Sequence, residues 1–215
     1  MLEGIELIVF DMDGVLTDSK ESVWYAFKKG LSDVGIKVNT KQLDENILGR
    51  GIKRDITDLI PEKDPVMKRA ILDQAVNKIE EAKISEKAIS MLKSYPEVRE
   101  VLKTVRERGF LMALVSNSHR VFVEATLYKL KLDGFWDKII AKDDGFETKD
   151  DALIFLMEEF GVTRKQTVYI GDMILDINAA RKAGCKIISK PGWDDENKLR
   201  KENPDFLINS LKELI

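Results

Sequence analysis

The stretch Ile5-Glu6-Leu7-Ile8-Val9-Phe10-Asp11-Met12-Asp13-Gly14-Val15-Leu16-Thr17-Asp18 decides how this chain folds. The apolar run Leu7 to Phe10 stops abruptly at Asp11 and Asp13, and Gly14 follows. A run this short, bounded by a glycine-containing polar segment, reads as a buried strand. The two carboxylates then stand at the strand's C-terminal end, where open α/β sheets bind their ligands. Asp11, Asp13 and Asp18 crowd acid at the edge of a core. That is costly unless a cation or a chemical task holds it there. A calcium-binding loop does not fit, because its fifth and twelfth positions would be Val15 and Ser22.

Outward from this stretch, further apolar runs at 111–115, 139–141, 168–170, 187–189 and 206–208 read as strands. Residues 98–108, 120–130, 150–160 and 174–183 carry apolar positions at helical spacing. Alternating strands and helices predict a parallel sheet covered on both faces, a Rossmann-like α/β core. Right-handed crossovers place the loops after the strands on one side. Residues 19–90 break the rhythm. They hold no strand pattern, but helical ones at 23–31, 40–48, 54–59 and 66–92, with Pro61 and Pro65 as breakers. The expected organisation is a core of residues 1–18 and 91–215, with a helical subdomain, 19–90, inserted after the first strand. Segments 17–22 and 90–96 would be its hinges.

Composition bounds the function. The 215 residues are 44% hydrophobic and 34% charged, which suits a globular chain with a solvated surface. A net charge of −3 provides no basic field for nucleic acid or anionic membrane. No apolar run is long enough to span a bilayer. No basic segment followed by an apolar stretch opens the chain, so no export signal is expected. The single cysteine, Cys185, excludes an internal disulfide and favours a reducing compartment, the cytoplasm. Its apolar neighbours make it an inert core thiol.

Three further features sit at strand-to-helix junctions. Leu114-Val115-Ser116-Asn117-Ser118 ends a strand in small hydrogen-bonding residues. Thr148-Lys149-Asp150 opens a helix, and Tyr169-Ile170-Gly171-Asp172 ends another strand with a carboxylate, Asp176 following one turn later. A parallel sheet gathers all of these at one edge. In this order, with Tyr95-Pro96-Glu97-Val98 before the second strand's helix, they resemble the haloacid dehalogenase superfamily. The likeness is to its capped branch of phosphoglycolate phosphatases and β-phosphoglucomutases, and it covers nearly the whole chain. It implies that the insert at 19–90 is a helical cap.

What the resemblance implies agrees with the chemistry of the residues. Asp11 is a carboxylate nucleophile able to form an aspartyl-phosphate. Its approach to a phosphate dianion is repulsive unless a hard dication intervenes, and Mg²⁺ suits oxygen donors. The implied ligands are the Asp11 and Asp172 side chains and the Asp13 carbonyl, with Asp176 either ligating or holding a metal-bound water. Lys149 would balance the remaining charge and place the nucleophile. Ser116 and the Asn117 N–H would hold phosphoryl oxygens. Asp13 would be general acid and then general base, and by the resemblance an acid at this position points to phosphomonoester chemistry.

In capped relatives a glycine-containing loop like Gly49-Arg50-Gly51-Ile52-Lys53-Arg54 reads the substrate, so Arg50 or Arg54 could clamp a second anionic group. Asp18, with Ser19, is expected to cap the first insert helix, and His119 to start a helix rather than act in catalysis. The expectation is therefore a Mg²⁺-dependent phosphatase for a small phosphorylated metabolite of the phosphoglycolate or sugar phosphate class, monomeric or weakly dimeric. The alternatives are a β-phosphoglucomutase-type mutase and a non-catalytic binding module on the same fold.

Overall fold

The computed structural model describes residues 1–215. It resolves into two compact units, Met1–Asp18 with Lys93–Ile215, and Ser19–Leu92. The inserted unit thus runs two residues beyond the expected end at 90, because its last helix continues to Met91.

The chain opens with β1 (Leu7–Phe10), whose four side chains are fully buried. Burial on both faces explains why this strand is continuously apolar rather than alternating. A tight loop leads to β2 (Thr17–Asp18), and the chain then enters the insert. There it forms α1 (Lys20–Asp33), α2 (Thr40–Asn46), α3 (Ile52–Ile56) with a 3-10 turn at Thr57–Leu59, α4 (Pro65–Lys83) and α5 (Glu86–Met91). It returns through β3 (Lys93–Ser94), which pairs antiparallel with β2, Thr17 opposite Ser94 and Asp18 opposite Lys93.

From there the alternation is regular: α6 (Val98–Glu107), β4 (Leu111–Val115), α7 (Arg120–Leu130), β5 (Lys138–Ile140), α8 (Lys149–Phe160), β6 (Thr167–Gly171), α9 (Ile174–Ala183), β7 (Lys186–Ser189), α10 (Glu196–Lys201) and β8 (Phe206–Leu207). The six strands β5-β4-β1-β6-β7-β8 form one sheet, all pairs parallel. Val9 lies opposite Ala113 on one side and Tyr169 on the other. The strand order reverses around β1, which puts the topological switch point at its C-terminal end.

Leu7, Val9, Tyr169 and Ile187 pack on one face with Leu153 and Leu156 of α8 and Ile177 and Ala180 of α9. α6 buries Val98, Val101, Leu102 and Val105, the i, i+3, i+4, i+7 set of one helical face. In the insert, Gly30 of α1 lets α4 approach closely, since a Cβ there would fall 2.5 Å from the backbone nitrogen of Ile79. No helix is long and apolar enough to cross a membrane.

Three local expectations are corrected. The single helix expected over 66–92 is two helices, because Ser85 caps α5 through Ala88 N–H while its hydroxyl donates to the Ala82 carbonyl. Pro65 does not break a helix. It opens α4 in the first turn, where its missing N–H costs nothing, and Asp64 caps Val66 and Met67. Asp18 is a strand residue of the β2–β3 ribbon, and the N-cap of α1 is Ser19, with no side-chain capping bond.

Candidate active site

Backbone ladders extend one residue beyond the central strands. Asp11 N–H donates to Ile170 O at 2.9 Å, Ser116 N–H to Ile140 O at 2.9 Å, and Lys190 N–H to Gly171 O at 3.0 Å. The functional side chains at these positions are therefore held by the sheet itself, not by free loops.

Asp11, Asp172 and Asp176 converge so that one oxygen of each lies within 4.8 Å of the others, all buried. Lys149 is the first residue of α8 and reaches Asp11 Oδ2 at 3.0 Å and Asp176 Oδ1 at 2.7 Å. Thr148 and Asp151 close a capping box that fixes the start of that helix, so Asp151, the second of the two acids after Lys149, has a structural task. Three buried carboxylates face the one ammonium in contact with them. Two negative charges are left over, the charge of a divalent cation.

Burial is the main force on these groups. It pushes Asp11 up to about 7, with help from Asp176 and Asp13 and against the pull of Lys149. It pushes Asp172 well above the usual carboxylate range, Asp176 and Asp11 adding to it. Burial alone would lower Lys149, but Asp11 and Asp176 outweigh it and its ammonium is held charged.

The donor set passes a direct test for a hard cation. Asp172 Oδ2 accepts from Trp193 N–H at 2.6 Å, while its buried Oδ1 has no hydrogen-bond partner. A buried carboxylate oxygen without a donor is costly unless a cation faces it. The carboxylate is also tightly cradled. A Cβ on Gly14 would meet Asp172 Oδ2 at 1.9 Å, and one on Gly192 would meet it at 2.5 Å. Only glycine fits either position, and Gly14 additionally has φ +85°.

Asp13 lies beside this cluster, not in it. Its carboxylate accepts from Thr17 Oγ1 and Ser118 Oγ, each at 3.3 Å. Ser116 is buried at the end of β4, where its hydroxyl accepts Ser118 N–H at 3.1 Å, and Asn117 is exposed next to it. His119 is the N-cap of α7, as expected. Cys185 is buried, and burial pushes its thiol up to about 12, so it is inert. In the inserted unit, Arg50 Nε donates to Asp55 Oδ1 at 3.0 Å, and Arg54 is exposed on α3.

Four residues at the site had no role assigned from the sequence. Tyr169 hydroxyl donates to Asp176 Oδ1 at 2.9 Å. Trp193 supplies the N–H on Asp172, and Ser118 the hydroxyl on Asp13. Lys190 is buried, bonds Gly14 O at 3.2 Å, and lies 3.6 Å from the centre of the Tyr95 ring. Lys190 and Tyr169 had a readable signal: a lysine at a strand's C-terminal end, and a core tyrosine whose hydroxyl must find a partner.

Comparison with known proteins finds relatives across nearly the whole chain. The family model described as haloacid dehalogenase-like hydrolase matches residues 8–190. The phosphoglycolate phosphatase of Pseudomonas putida is 29% identical over 216 residues, covering 97% of this chain and 78% of the relative. That of Aliivibrio fischeri is 28% identical over 228 residues, covering 100% and 97%. Among solved structures, a haloacid dehalogenase-like family protein of Streptococcus pneumoniae superposes with a TM-score of 0.82 at 17% identity, covering 99% and 97%. CbbY of Rhodobacter sphaeroides, solved with phosphate, superposes with 0.79 at 20% identity, covering 98% and 96%. Because this family model spans most of the chain, from the first strand to Lys190, the chain belongs to the haloacid dehalogenase-like hydrolases.

Proposed function

We propose that this hydrolase cleaves a small phosphomonoester, of the phosphoglycolate or sugar phosphate class, with Mg²⁺ and through an aspartyl-phosphate on Asp11. One observation carries the reading: Asp11, held by Lys149, shares a buried carboxylate cluster with Asp172, whose Oδ1 has no protein partner. Asp11, Asp172 and the Asp13 carbonyl are the proposed ligands. The dication, when bound, offsets the charge of the phosphate and the carboxylates around it.

The protein's own groups supply the rest. Met12 N–H and Lys149 orient the two oxygens of Asp11, leaving a carboxylate lone pair for attack on phosphorus. As the P–O bond to the leaving group breaks, Asp13 gives its proton to the departing alkoxide. Thr17 and Ser118 hold Asp13 in place for this. Asp13, now a base, takes a proton from water, which attacks phosphorus and releases phosphate, restoring Asp11. Ser116 and Asn117 N–H are the proposed donors to phosphoryl oxygens. The inserted unit is the proposed cap that selects the leaving group, with Arg50 and Arg54 as its candidate anion readers. Arg50 is already braced by Asp55. The phosphoglycolate phosphatases among the relatives support this substrate class.

The test is a screen of phosphoglycolate, hexose phosphates and β-glucose-1-phosphate with and without Mg²⁺, reading free phosphate. Mg²⁺-dependent release that vanishes in Asp11→Asn is expected. Retained activity in Asp11→Asn would sink the mechanism. Isomerisation of β-glucose-1-phosphate without release would replace hydrolysis by phosphomutation.

A further inference from the structure

Asp172 and Asp176 sit in one cluster but are not equivalent. Asp176 Oδ1 accepts from Lys149 Nζ at 2.7 Å and from Tyr169 hydroxyl at 2.9 Å. Its Oδ2 accepts from Asp172 N–H at 3.1 Å and from Met173 N–H at 3.0 Å. A carboxylate has about four acceptor sites, and here protein donors fill them. Asp176 is also pressed against the strand: a Cβ on Gly171 would fall 2.3 Å from the Asp176 Cβ. Asp172, by contrast, keeps one oxygen bare.

We infer that Tyr169 is a positioning residue whose hydroxyl commits Asp176 to holding Lys149 against Asp11, and so keeps Asp176 out of the direct ligand set of the cation. The tyrosine is fully buried on β6, its ring in the core cluster with Leu7, Val9 and Ile177. Lys149 Nζ lies 5.7 Å from the centre of that ring. A phenylalanine there fills almost the same volume, so the hydroxyl's role is specific to the hydrogen bond. Deleting it leaves Asp176 Oδ1 one donor short and loosens the anchor of Lys149. The consequence for turnover rests on the phosphatase reading; the division of labour between the two carboxylates does not.

The experiment compares Tyr169→Phe, Asp176→Asn, Asp172→Asn, Lys149→Met and the Tyr169→Phe/Lys149→Met double variant. Mg²⁺ alone is titrated against thermal unfolding, and hydrolysis of p-nitrophenyl phosphate is measured in parallel. In Tyr169→Phe, kcat is expected to fall about tenfold with KM and the Mg²⁺ midpoint within about twofold. In the Lys149→Met background the same substitution should cost nothing more, because Tyr169 acts through Lys149. Asp176→Asn should keep a Mg²⁺-induced rise in Tm that Asp172→Asn loses. Mg²⁺ affinity falling in step with kcat in Tyr169→Phe, an equal loss in both backgrounds, or an Asp176→Asn variant as blind to Mg²⁺ as Asp172→Asn would each overturn the inference. A wild-type protein that binds Mg²⁺ but hydrolyses no phosphomonoester refutes the phosphatase reading instead, while the Mg²⁺ titrations still decide which carboxylate is the ligand.

Discussion

Removing the cation should make this protein lose stability as the pH rises, opposite to the usual behaviour of carboxylates in salt bridges. Asp11 moves from an ordinary value of 3.8 to about 7 in the metal-free fold, chiefly through burial. A group with a raised folded-state value binds its proton more tightly when folded. The stability that proton contributes is full below pH 3.8 and is lost as the pH climbs through about 7. At about 1.4 kcal/mol per pH unit, the whole interval corresponds to about 4 kcal/mol, of which about 2.5 kcal/mol falls between pH 5 and pH 8.

For a chain of this size that is a Tm decrease of about 5–10 °C. Asp172, also raised by burial and its acidic neighbours, adds to the loss. The assay is thermal unfolding in EDTA and in saturating Mg²⁺ from pH 5 to pH 8. The difference between the two curves cancels surface pairs such as Arg106–Asp137 and Arg120–Asp144, which lie outside the site. The Mg²⁺-induced gain should be smallest at pH 5 and widen steadily to pH 8. In Asp172→Asn the metal-free protein should be the more stable at pH 8 and gain nothing from Mg²⁺. A gain that stays constant across this range would refute the claim that the uncompensated charge of the carboxylate cluster drives cation binding.

Three more outcomes test other parts of the structure. Lys149→Met removes the ammonium shared by Asp11 and Asp176, so kcat for phosphomonoester hydrolysis should fall by about 100-fold or more while the protein remains folded by circular dichroism. Gly14→Ala puts a Cβ 1.9 Å from Asp172 Oδ2 in a backbone with φ +85°, and should abolish the Mg²⁺-induced rise in Tm, where an unchanged rise would contradict the cradle. Gly30→Ala, 2.5 Å from the Ile79 backbone, should separate α1 from α4 and lower the stability of the inserted unit by about 1–3 kcal/mol in urea titration.

Where the sequence was legible, periodicity was the reason. β1 and β4 keep the bounds the apolar runs suggested, and the acidic and hydroxylic residues after them occupy the sheet edge. The β2–β3 ribbon was visible only as two hinge segments, since a two-residue strand has no pattern to read. The break at Ile84–Ser85 was hidden because a serine's local hydrogen bonds compete with a helix without changing its apolar spacing. Among the candidate site residues, Asp11, Asp13, Lys149 and Asp172 were singled out by their place at strand and helix ends. Tyr169 and Lys190 were given no role, because their roles lie in what they touch.

The order of apolar runs, turns and strand-end carboxylates, each a local signal a few residues long, determined a parallel α/β core, an inserted helical segment and the edge where chemistry gathers. Tertiary structure alone decided that Lys149 bridges Asp11 and Asp176, that Tyr169 shares Asp176, and that one oxygen of Asp172 is left bare. It also joined Lys190 to Gly14 and Ser118 to Asp13 across more than a hundred residues. The physical reason is that a carboxylate's charge and its partners depend on desolvation and on donors brought in by distant strands. Both come into being only when the sheet closes around β1.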